Sequence, residues 1–248
     1  MEDKALQIPY NMQDKIIHIL STRPLSEALI MTAVKQNVML DTATFICVQK
    51  MISTETDNKI KELALSKATI VFTSMNAVEM VTEIISPMNV IPDWEIYCMG
   101  GTTLALVKNS WPEKHIKGTA KNAAELADKI IADKVENIHF FCGNIRREEL
   151  PAILKNEKIQ VNEWVVYETL LTPSIIEKAY DGILFFSPSA VESFFSANKT
   201  IEKTVLFSIG TTTEATLKKF TTNPIVTSDL PDKEQLVNKA IHYLQSNK

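Results

Sequence analysis

Short apolar runs alternate along the chain with longer stretches in which apolar residues recur at helical spacing. Runs such as 68–73 (ATIVFT) and 182–187 (GILFFS) are rich in β-branched and aromatic residues, as is typical of strands buried on both faces. Hydroxyl and amide residues that favour a helix start follow each run. Helical spacing then extends over 77–85 and 190–198. Alternating strands and helices predict an α/β fold with parallel sheets of the doubly wound kind.

Three blocks of this pattern recur once each in the same order. The blocks and their copies are 71–80 with 184–193, 96–106 with 206–216, and 116–130 with 226–241. The matched positions include Ser74 with Ser187, Asn76 with Ser189, Thr102 with Thr212, and Thr103 with Thr213. The chain therefore contains a duplicated unit of strand, turn, helix, strand, turn and helix, which is longer than the period of a solenoid.

Two further strand–helix units, 15–35 and 137–158, lie outside the repeat. Chain order assigns the middle unit to the first repeat, so the opening unit has to join the second. The predicted fold class is α/β, with two doubly wound parallel-sheet domains, one of them discontinuous, joined by a two-stranded β connector. The predicted bounds are 1–42 with 171–248 for the discontinuous domain, 46–164 for the inserted domain, and 43–45 and 165–170 for the connectors.

Composition narrows the class of protein. The 248 residues are 45% hydrophobic and 23% charged, as in ordinary soluble domains. The net charge of −4 gives no global basic field, so we expect no nucleic-acid partner. The polar start of the chain predicts no signal or transit peptide, and no apolar run approaches the ~20 residues of a membrane helix. With no heptad seam evident, we expect a monomer.

The cysteines and the absence of common catalytic motifs restrict the class of protein further. Cys47, Cys98 and Cys142 are odd in number and far apart, which predicts reduced, buried thiols and a cytoplasmic location. Dinucleotide, Walker and nucleophile-elbow motifs are missing. The four histidines lack metal-ligand spacing, and His18 and His139 fall inside predicted strands, where packing explains them. These absences argue against a nucleotide cofactor and a metal site.

Polar turns at the carboxyl ends of the predicted strands are the candidate ligand site, because doubly wound folds bind ligands there. They contain Ser74, Asn76, Thr102, Thr103, Ser187, Ser189, Thr212 and Thr213. Helix starts favour anions, so two facing domains would enclose a cleft for a ligand with many carboxylates or phosphates. Simple helix capping is the alternative for any one of these residues, whereas the pairing across both halves favours ligand contact for the set.

The ordered blocks 71–80, 98–103 (CMGGTT), 141–154 (FCGNIRREELPAIL), 165–170 (VVYETL), 185–194 (FFSPSAVESF) and 208–217 (SIGTTTEATL) together resemble the uroporphyrinogen-III synthase family. The resemblance extends from residue 19 to residue 241. It implies two α/β domains joined by a two-stranded connector, and cyclisation of hydroxymethylbilane to uroporphyrinogen III. That reaction inverts the terminal pyrrole ring, releases water and uses no cofactor. The substrate is a linear tetrapyrrole with eight carboxylates, which gives the repeated polar turns a purpose.

The resemblance also assigns roles to residues. Tyr167 matches the family's tyrosine near the cleft, a proposed proton donor to the leaving hydroxyl; a packed connector tyrosine is the alternative. Thr103 and Thr213 match the threonine of the family's G-x-x-T turns, although adjacent threonines leave open which hydroxyl faces the ligand. Ser74, Asn76, Ser187 and Ser189 match its paired serine turns.

Two arginines complete the candidate site. Arg147 matches the family's arginine in the middle unit, where it would clamp a carboxylate or else pair with Glu148 or Glu149. The neighbouring Arg146 is a weaker match, and Ile145 and Arg146 stand where bacterial relatives often have glycines. Arg23 fits the bacterial form of the first turn, with a surface salt bridge as its alternative.

Two other functions are alternatives to catalysis of this reaction. A non-catalytic, bilobal polycarboxylate-binding protein would share the two domains, but a solute receptor of that kind needs an export signal. A sugar-transferring enzyme would normally be longer and would recognise a nucleotide, for which no motif is visible.

Overall fold

The computed structural model describes residues 16–200 and 203–247, which form eleven strands and nine α-helices. The strands are β1 (Ile17–Ser21), β2 (Val38–Thr42), β3 (Ile46–Lys50), β4 (Ala68–Phe72), β5 (Trp94–Met99), β6 (Ile116–Ala120), β7 (Asn137–Gly143), β8 (Gln160–Leu171), β9 (Gly182–Phe185), β10 (Val205–Ser208) and β11 (Ile225–Thr227). The helices are α1 (Glu27–Val34), α2 (Thr54–Ala64), α3 (Met75–Ile85), α4 (Thr102–Ser110), α5 (Ala123–Ala132), α6 (Glu149–Asn156), α7 (Pro188–Ala197), α8 (Thr211–Leu217) and α9 (Lys233–Ser246). The first fifteen residues of the predicted discontinuous domain lie outside the described residues.

The chain divides into two compact units. The continuous unit is Cys47–Leu170, and the discontinuous unit combines the described residues up to Ile46 with those from Leu171 onward. Across the described parts of both units, no helix is long and apolar enough to cross a membrane.

The continuous unit has a six-stranded sheet in the order β3-β8-β7-β4-β5-β6. Its inner strands alternate between two cores, because successive side chains of a strand point to opposite faces. Ile70 and Phe72 of β4 pack on the same side as α2, α3 and α4, whereas Val71 packs with α5 and α6 on the other. Both faces of the sheet are therefore covered by helices, which explains the continuous apolar runs of its strands.

The discontinuous unit has a five-stranded parallel sheet in the order β11-β10-β9-β1-β2. One face packs on α1 and α9 through residues such as Ala33 and Leu236, and the other packs on α7 and α8 through Val191 and Leu217. The two sheets, predominantly parallel and covered by helices on both faces, confirm the predicted fold class.

The two sheets share one strand order once the repeats are aligned. Strands β4, β5 and β6 recur as β9, β10 and β11, and β7 stands beside β4 where β1 stands beside β9. The opening strand pairs in parallel with the second repeat, Ile19 opposite Gly182. The prediction that β1 joins the sheet of the second repeat is confirmed.

Strands β3 and β8 form the predicted two-stranded connection. The Met51 N–H donates to the Val166 carbonyl at 3.2 Å, and the Thr172 N–H donates to the Phe45 carbonyl at 2.9 Å. Residue numbers rise along β3 where they fall along β8, so the pair is antiparallel. Cys47 lies on β3, the edge strand of its sheet, and is exposed. The prediction of a buried thiol is therefore wrong for Cys47, although Cys98 and Cys142 are buried.

Candidate active site

Ser74 and Ser187 occupy matched turns after β4 and β9 and act as helix caps. The Ser74 hydroxyl accepts a hydrogen bond from the Asn76 N–H at 3.2 Å. The Ser187 hydroxyl accepts one from the Ala190 N–H at 3.2 Å. Capping satisfies backbone donors that the first turn of a helix leaves unpaired. Capping and ligand contact are compatible here, because a hydroxyl also carries a proton to donate.

Asn76 is not the cap that the sequence predicts, because it lies inside the first turn of α3 and its side chain serves another contact. Together with Ser74 it lies close enough to the Tyr167 hydroxyl to lower the pKa of that phenol. Burial raises the pKa of Tyr167 by more than these two neighbours lower it. The structure thus brings three of the sequence-predicted residues together around one phenol that stays protonated at neutral pH.

Tyr167 is 8% exposed and packs into the core of the continuous unit. Its ring lies against Gly143 at the end of β7, where a Cβ atom would stand 2.5 Å from two ring carbons. Only glycine leaves room for the ring in this position. Sequence reasoning did not single out Gly143, although a glycine closing an apolar strand signals the close approach of another group.

The threonine turns lie after β5 and β10. Their caps are Gly101 and Gly210 rather than threonines, and Gly101 has a φ of 66°, a left-handed conformation that favours glycine. Thr103 is 6% exposed and Thr213 is 2% exposed.

The orientation of the threonines follows from these positions. Thr102 is exposed and Thr212 is half-buried, so Thr103 and Thr213 are the pair that faces into its unit. Among the described residues, neither the Thr103 nor the Thr213 hydroxyl has a hydrogen-bond partner. Neither oxygen belongs to the fully buried atoms that lack one. Both hydroxyls are therefore free to bind a ligand.

Arg23 and Ser189 belong to the discontinuous unit. The Arg23 guanidinium lies 5.6 Å from the ring centroid of Phe186, the residue before Ser187. Within residues 16–200 and 203–247 no carboxylate forms an ion pair with Arg23, so its salt-bridge alternative has no partner there. Ser189 is half-buried in the first turn of α7, at the position matched to Asn76.

Arg146 and Arg147 are adjacent but make different contacts. Arg146 forms ion pairs with Glu163 and Glu148, the kind of local pair that was the alternative for Arg147. Burial alone would raise the pKa of Glu163, but hydrogen bonds from Lys155 and Arg146 hold it below its usual range. Arg147 is exposed, and the described acidic residues leave it unpaired. Of these two adjacent arginines, Arg147 is thus the one left available to a ligand.

Histidines and acidic residues do not gather into a metal centre in the part of the chain that the structure describes. His18 lies in β1 and His139 in β7, as predicted for structural residues. Nδ1 of His139 accepts a hydrogen bond from the Trp164 indole at 3.1 Å. Burial lowers the pKa of His139, which keeps that ring nitrogen an acceptor at neutral pH.

Comparison with known proteins identifies the family. The family model described as uroporphyrinogen-III synthase HemD matches residues 42–238, more than half of the chain. A uroporphyrinogen III synthase mutant from the extremely thermophilic bacterium Thermus thermophilus superposes with a TM-score of 0.66 at 13% identity, over 94% of this chain and 100% of that one. The uroporphyrinogen-III synthetase of Helicobacter pylori gives a TM-score of 0.63 at 16% identity, over 92% and 99%. At identities this low, the structural matches establish only the fold. The family model matches the amino-acid sequence itself and therefore establishes the family. The chain belongs to the uroporphyrinogen-III synthase family.

Proposed function

We propose that the chain performs its family's reaction with Tyr167 as the proton donor and with the polar turns of both units as carboxylate contacts. The family converts the linear tetrapyrrole hydroxymethylbilane into cyclic uroporphyrinogen III and releases one water. The observation that carries the proposal is the buried phenol of Tyr167, which lies beside Ser74 and Asn76 at the carboxyl edge of the sheet.

The first chemical step requires a proton. The hydroxymethyl group of the bilane leaves as water once its oxygen is protonated, and the first pyrrole becomes an electrophilic azafulvenium cation. Tyr167 supplies that proton because burial keeps its phenol neutral. The hydrogen bonds from Ser74 and Asn76 then stabilise the phenolate that remains. The last pyrrole attacks through its substituted carbon, and the spiro intermediate opens and recloses with that ring inverted.

The remaining residues hold the substrate. Its eight carboxylates match the free cations Arg23 and Arg147 and the unpaired hydroxyls of Thr103 and Thr213. Further contacts come from Thr102, Thr212, Ser187 and Ser189. The start of α4 adds backbone N–H groups that no side chain caps, and such groups favour anions. Holding the chain curled directs attack to the substituted carbon, which is a gain in proximity and orientation.

The organisation and setting of the protein belong to the same proposal. We assign the domains the bounds 1–42 with 171–248 and 46–164, acting as a monomer in the cytoplasm without a cofactor or nucleic acid. The net charge of −4 and the free thiols of Cys47, Cys98 and Cys142 support this setting. Limited proteolysis should cut first beside these bounds, at the mostly exposed residues 42–44 or 171–179, and light scattering should give the mass of one chain. Cleavage within 46–164 before either bound would contradict the assignment.

The function is tested with freshly prepared bilane. The purified chain, without added metal, is expected to yield isomer III, whereas the uncatalysed reaction closes to the symmetric isomer I. Chromatography of the oxidised porphyrins separates the two isomers. If folded protein binds the bilane but leaves only isomer I, the chain acts as a polycarboxylate-binding protein instead.

A further inference from the structure

The ladder between β7 and β8 changes register beside the candidate active site. Cys142 lies opposite Val165, but the next residue, Gly143, lies opposite Tyr167. One extra residue, Val166, is therefore accommodated in β8. Bulges of this kind rotate the side chains that follow them.

Core packing shows the consequence of the shift. Val165 packs on the core side formed with α5 and α6, as alternation requires. Val166 and Tyr167 both pack into the opposite core, which contains Phe72 and Val78. A regular strand would place two consecutive side chains on opposite faces. The register shift is what places Tyr167 on the face of Ser74 and Asn76.

Asn144 fastens the strand just after the shift. Its backbone N–H donates to the Tyr167 carbonyl at 3.1 Å, and its side-chain oxygen Oδ1 accepts from the Thr169 N–H at 2.8 Å. The same oxygen accepts from the Ile145 N–H at 2.8 Å. The side chain of Asn144 thus takes the role of a strand carbonyl at the point where the chain leaves β7.

We propose that Asn144 is a positioning residue for Tyr167, an inference that rests on the proposed function of that tyrosine. Asn144 fixes the backbone on both sides of Glu168, and Gly143 leaves space for the ring. Without the Oδ1 contact, the segment after the bulge loses one of the hydrogen bonds that hold the phenol beside Ser74 and Asn76. A displacement of about 1 Å at a reacting group lowers rates by up to ~10²-fold.

The test combines Asn144→Ala with Tyr167→Phe. We expect Asn144→Ala to lower kcat for isomer III about tenfold. In the Tyr167→Phe background the same change should lower kcat less than about twofold, because the positioned group is already gone. Asn122→Ala is the matched control. It removes an exposed asparagine whose Oδ1 accepts the Glu125 N–H at 2.9 Å in the same unit, and it should leave kcat within about twofold.

Two further variants separate positioning from general stability. Asn144→Asp keeps an oxygen for both N–H groups, so kcat should return to within about threefold of the parent while KM rises through repulsion of substrate carboxylates. Asn144→Gln moves the oxygen by one methylene and should behave like Asn144→Ala. It serves as the test if the alanine variant does not fold.

Amide exchange at Thr169 provides a readout independent of activity. The proposal expects protection in the parent and in Asn144→Asp, and faster exchange in Asn144→Ala or Asn144→Gln. Equal loss of kcat in both backgrounds, or a loss no greater than that of Asn122→Ala, would overturn it. Absence of isomer III from the parent protein would instead refute the proposed function and leave the exchange result to judge the Oδ1 contact.

Discussion

The two sheets share the strand order of the repeat, yet among the described residues only the continuous unit places a tyrosine hydroxyl beside its serine turn. In the continuous unit, β8 extends over Gln160–Leu171 and presents Tyr167 to the turn that begins α3. In the discontinuous unit the matching place belongs to β2, which is Val38–Thr42 and contains no tyrosine. The serine caps and inward threonines are present in both units. In the proposed function the duplicated part of the fold supplies the binding turns, and a strand outside the sequence repeat supplies the acid.

The serine turns after β4 and β9 also differ in their surroundings. Asn76 lies beside the Tyr167 hydroxyl, whereas β2, the strand at the matching place in the unit of its counterpart Ser189, contains no tyrosine. Near Ser189 the discontinuous unit offers Arg23 over the ring of Phe186. In the proposed function both units hold anions, and the continuous unit alone adds a proton donor.

The largest expected effect comes from two matched tyrosines. Tyr167→Phe removes the proton donor but keeps the ring, so kcat for isomer III should fall about 10²–10⁴-fold. Tyr180→Phe is the control in the other unit, since Tyr180 is also partly buried and donates to Asp41 at 2.9 Å. Steady-state kinetics should show kcat unchanged for Tyr180→Phe. Similar losses in both variants would abolish the proposed difference between the units.

Threonine variants test whether both units hold one substrate. Thr103→Ala and Thr213→Ala should each lower kcat/KM about tenfold, because each removes a hydrogen bond to a charged group. The double variant should lose about 100-fold if the sites are independent. Thr102→Ala with Thr212→Ala should have a smaller effect, since that pair is the less buried. A double variant no worse than one single change would confine binding to one unit.

Glycine variants compare the packing of the two units. Gly143→Ala places a methyl group against the Tyr167 ring, and overpacking of this kind costs about 1–3 kcal/mol of unfolding free energy. Gly210→Ala meets nothing within 4 Å and has an extended backbone, so its stability should stay near that of the parent. Thermal melts should show a loss of about 2–4 °C per kcal/mol for a chain of this size. Equal melting temperatures for Gly143→Ala and Gly210→Ala would mean that the Tyr167 ring can move aside for the added methyl group.

The pH profile gives the smallest expected change. Burial raises the pKa of Tyr167, so the neutral donor persists above the ordinary value of about 10. The kcat ratio of parent to Tyr167→Phe should stay level from pH 7 to 9 and fall only above about pH 10. The stability gained from the neutral phenol is likewise complete below its unfolded pKa and is lost as pH rises through the folded one. If the kcat ratio of parent to Tyr167→Phe halves between pH 7 and 8, a group other than Tyr167 donates the proton to the leaving hydroxyl.

The strand content and strand order of both sheets could be predicted from the sequence, because local hydrophobic patterns mark the strands. Apolar runs such as 68–73 and their copies mark strands, and the duplicated order indicates which strand–helix unit is left over. The pairing of β1 with β9 follows from that count. The same reasoning placed Tyr167 on a connecting strand and named Ser74 and Asn76 as site residues, although it did not predict that the three side chains meet.

The remaining features depend on tertiary contacts that no local pattern encodes. The register shift at Val166 leaves the apolar pattern of 164–167 unchanged, so nothing in the sequence signals it. Helix α2 was not predicted, because its 54–64 segment is dominated by charged and polar residues. The exposure of Cys47 follows from the edge position of β3, which depends on which strands pair.

The most direct test of the central claim is a titration of isomer fraction against protein concentration. Spontaneous closure to isomer I competes with the enzyme at a fixed rate, so the fraction of isomer III measures the enzymatic rate against an internal clock. We expect the fraction to rise from the blank value towards one as parent protein is added. The Tyr167→Phe curve should be displaced to about 10²–10⁴-fold higher protein, while the Tyr180→Phe curve should overlie the parent. A fraction of isomer III that does not depend on protein concentration, or coincident curves for parent and Tyr167→Phe, would contradict the account.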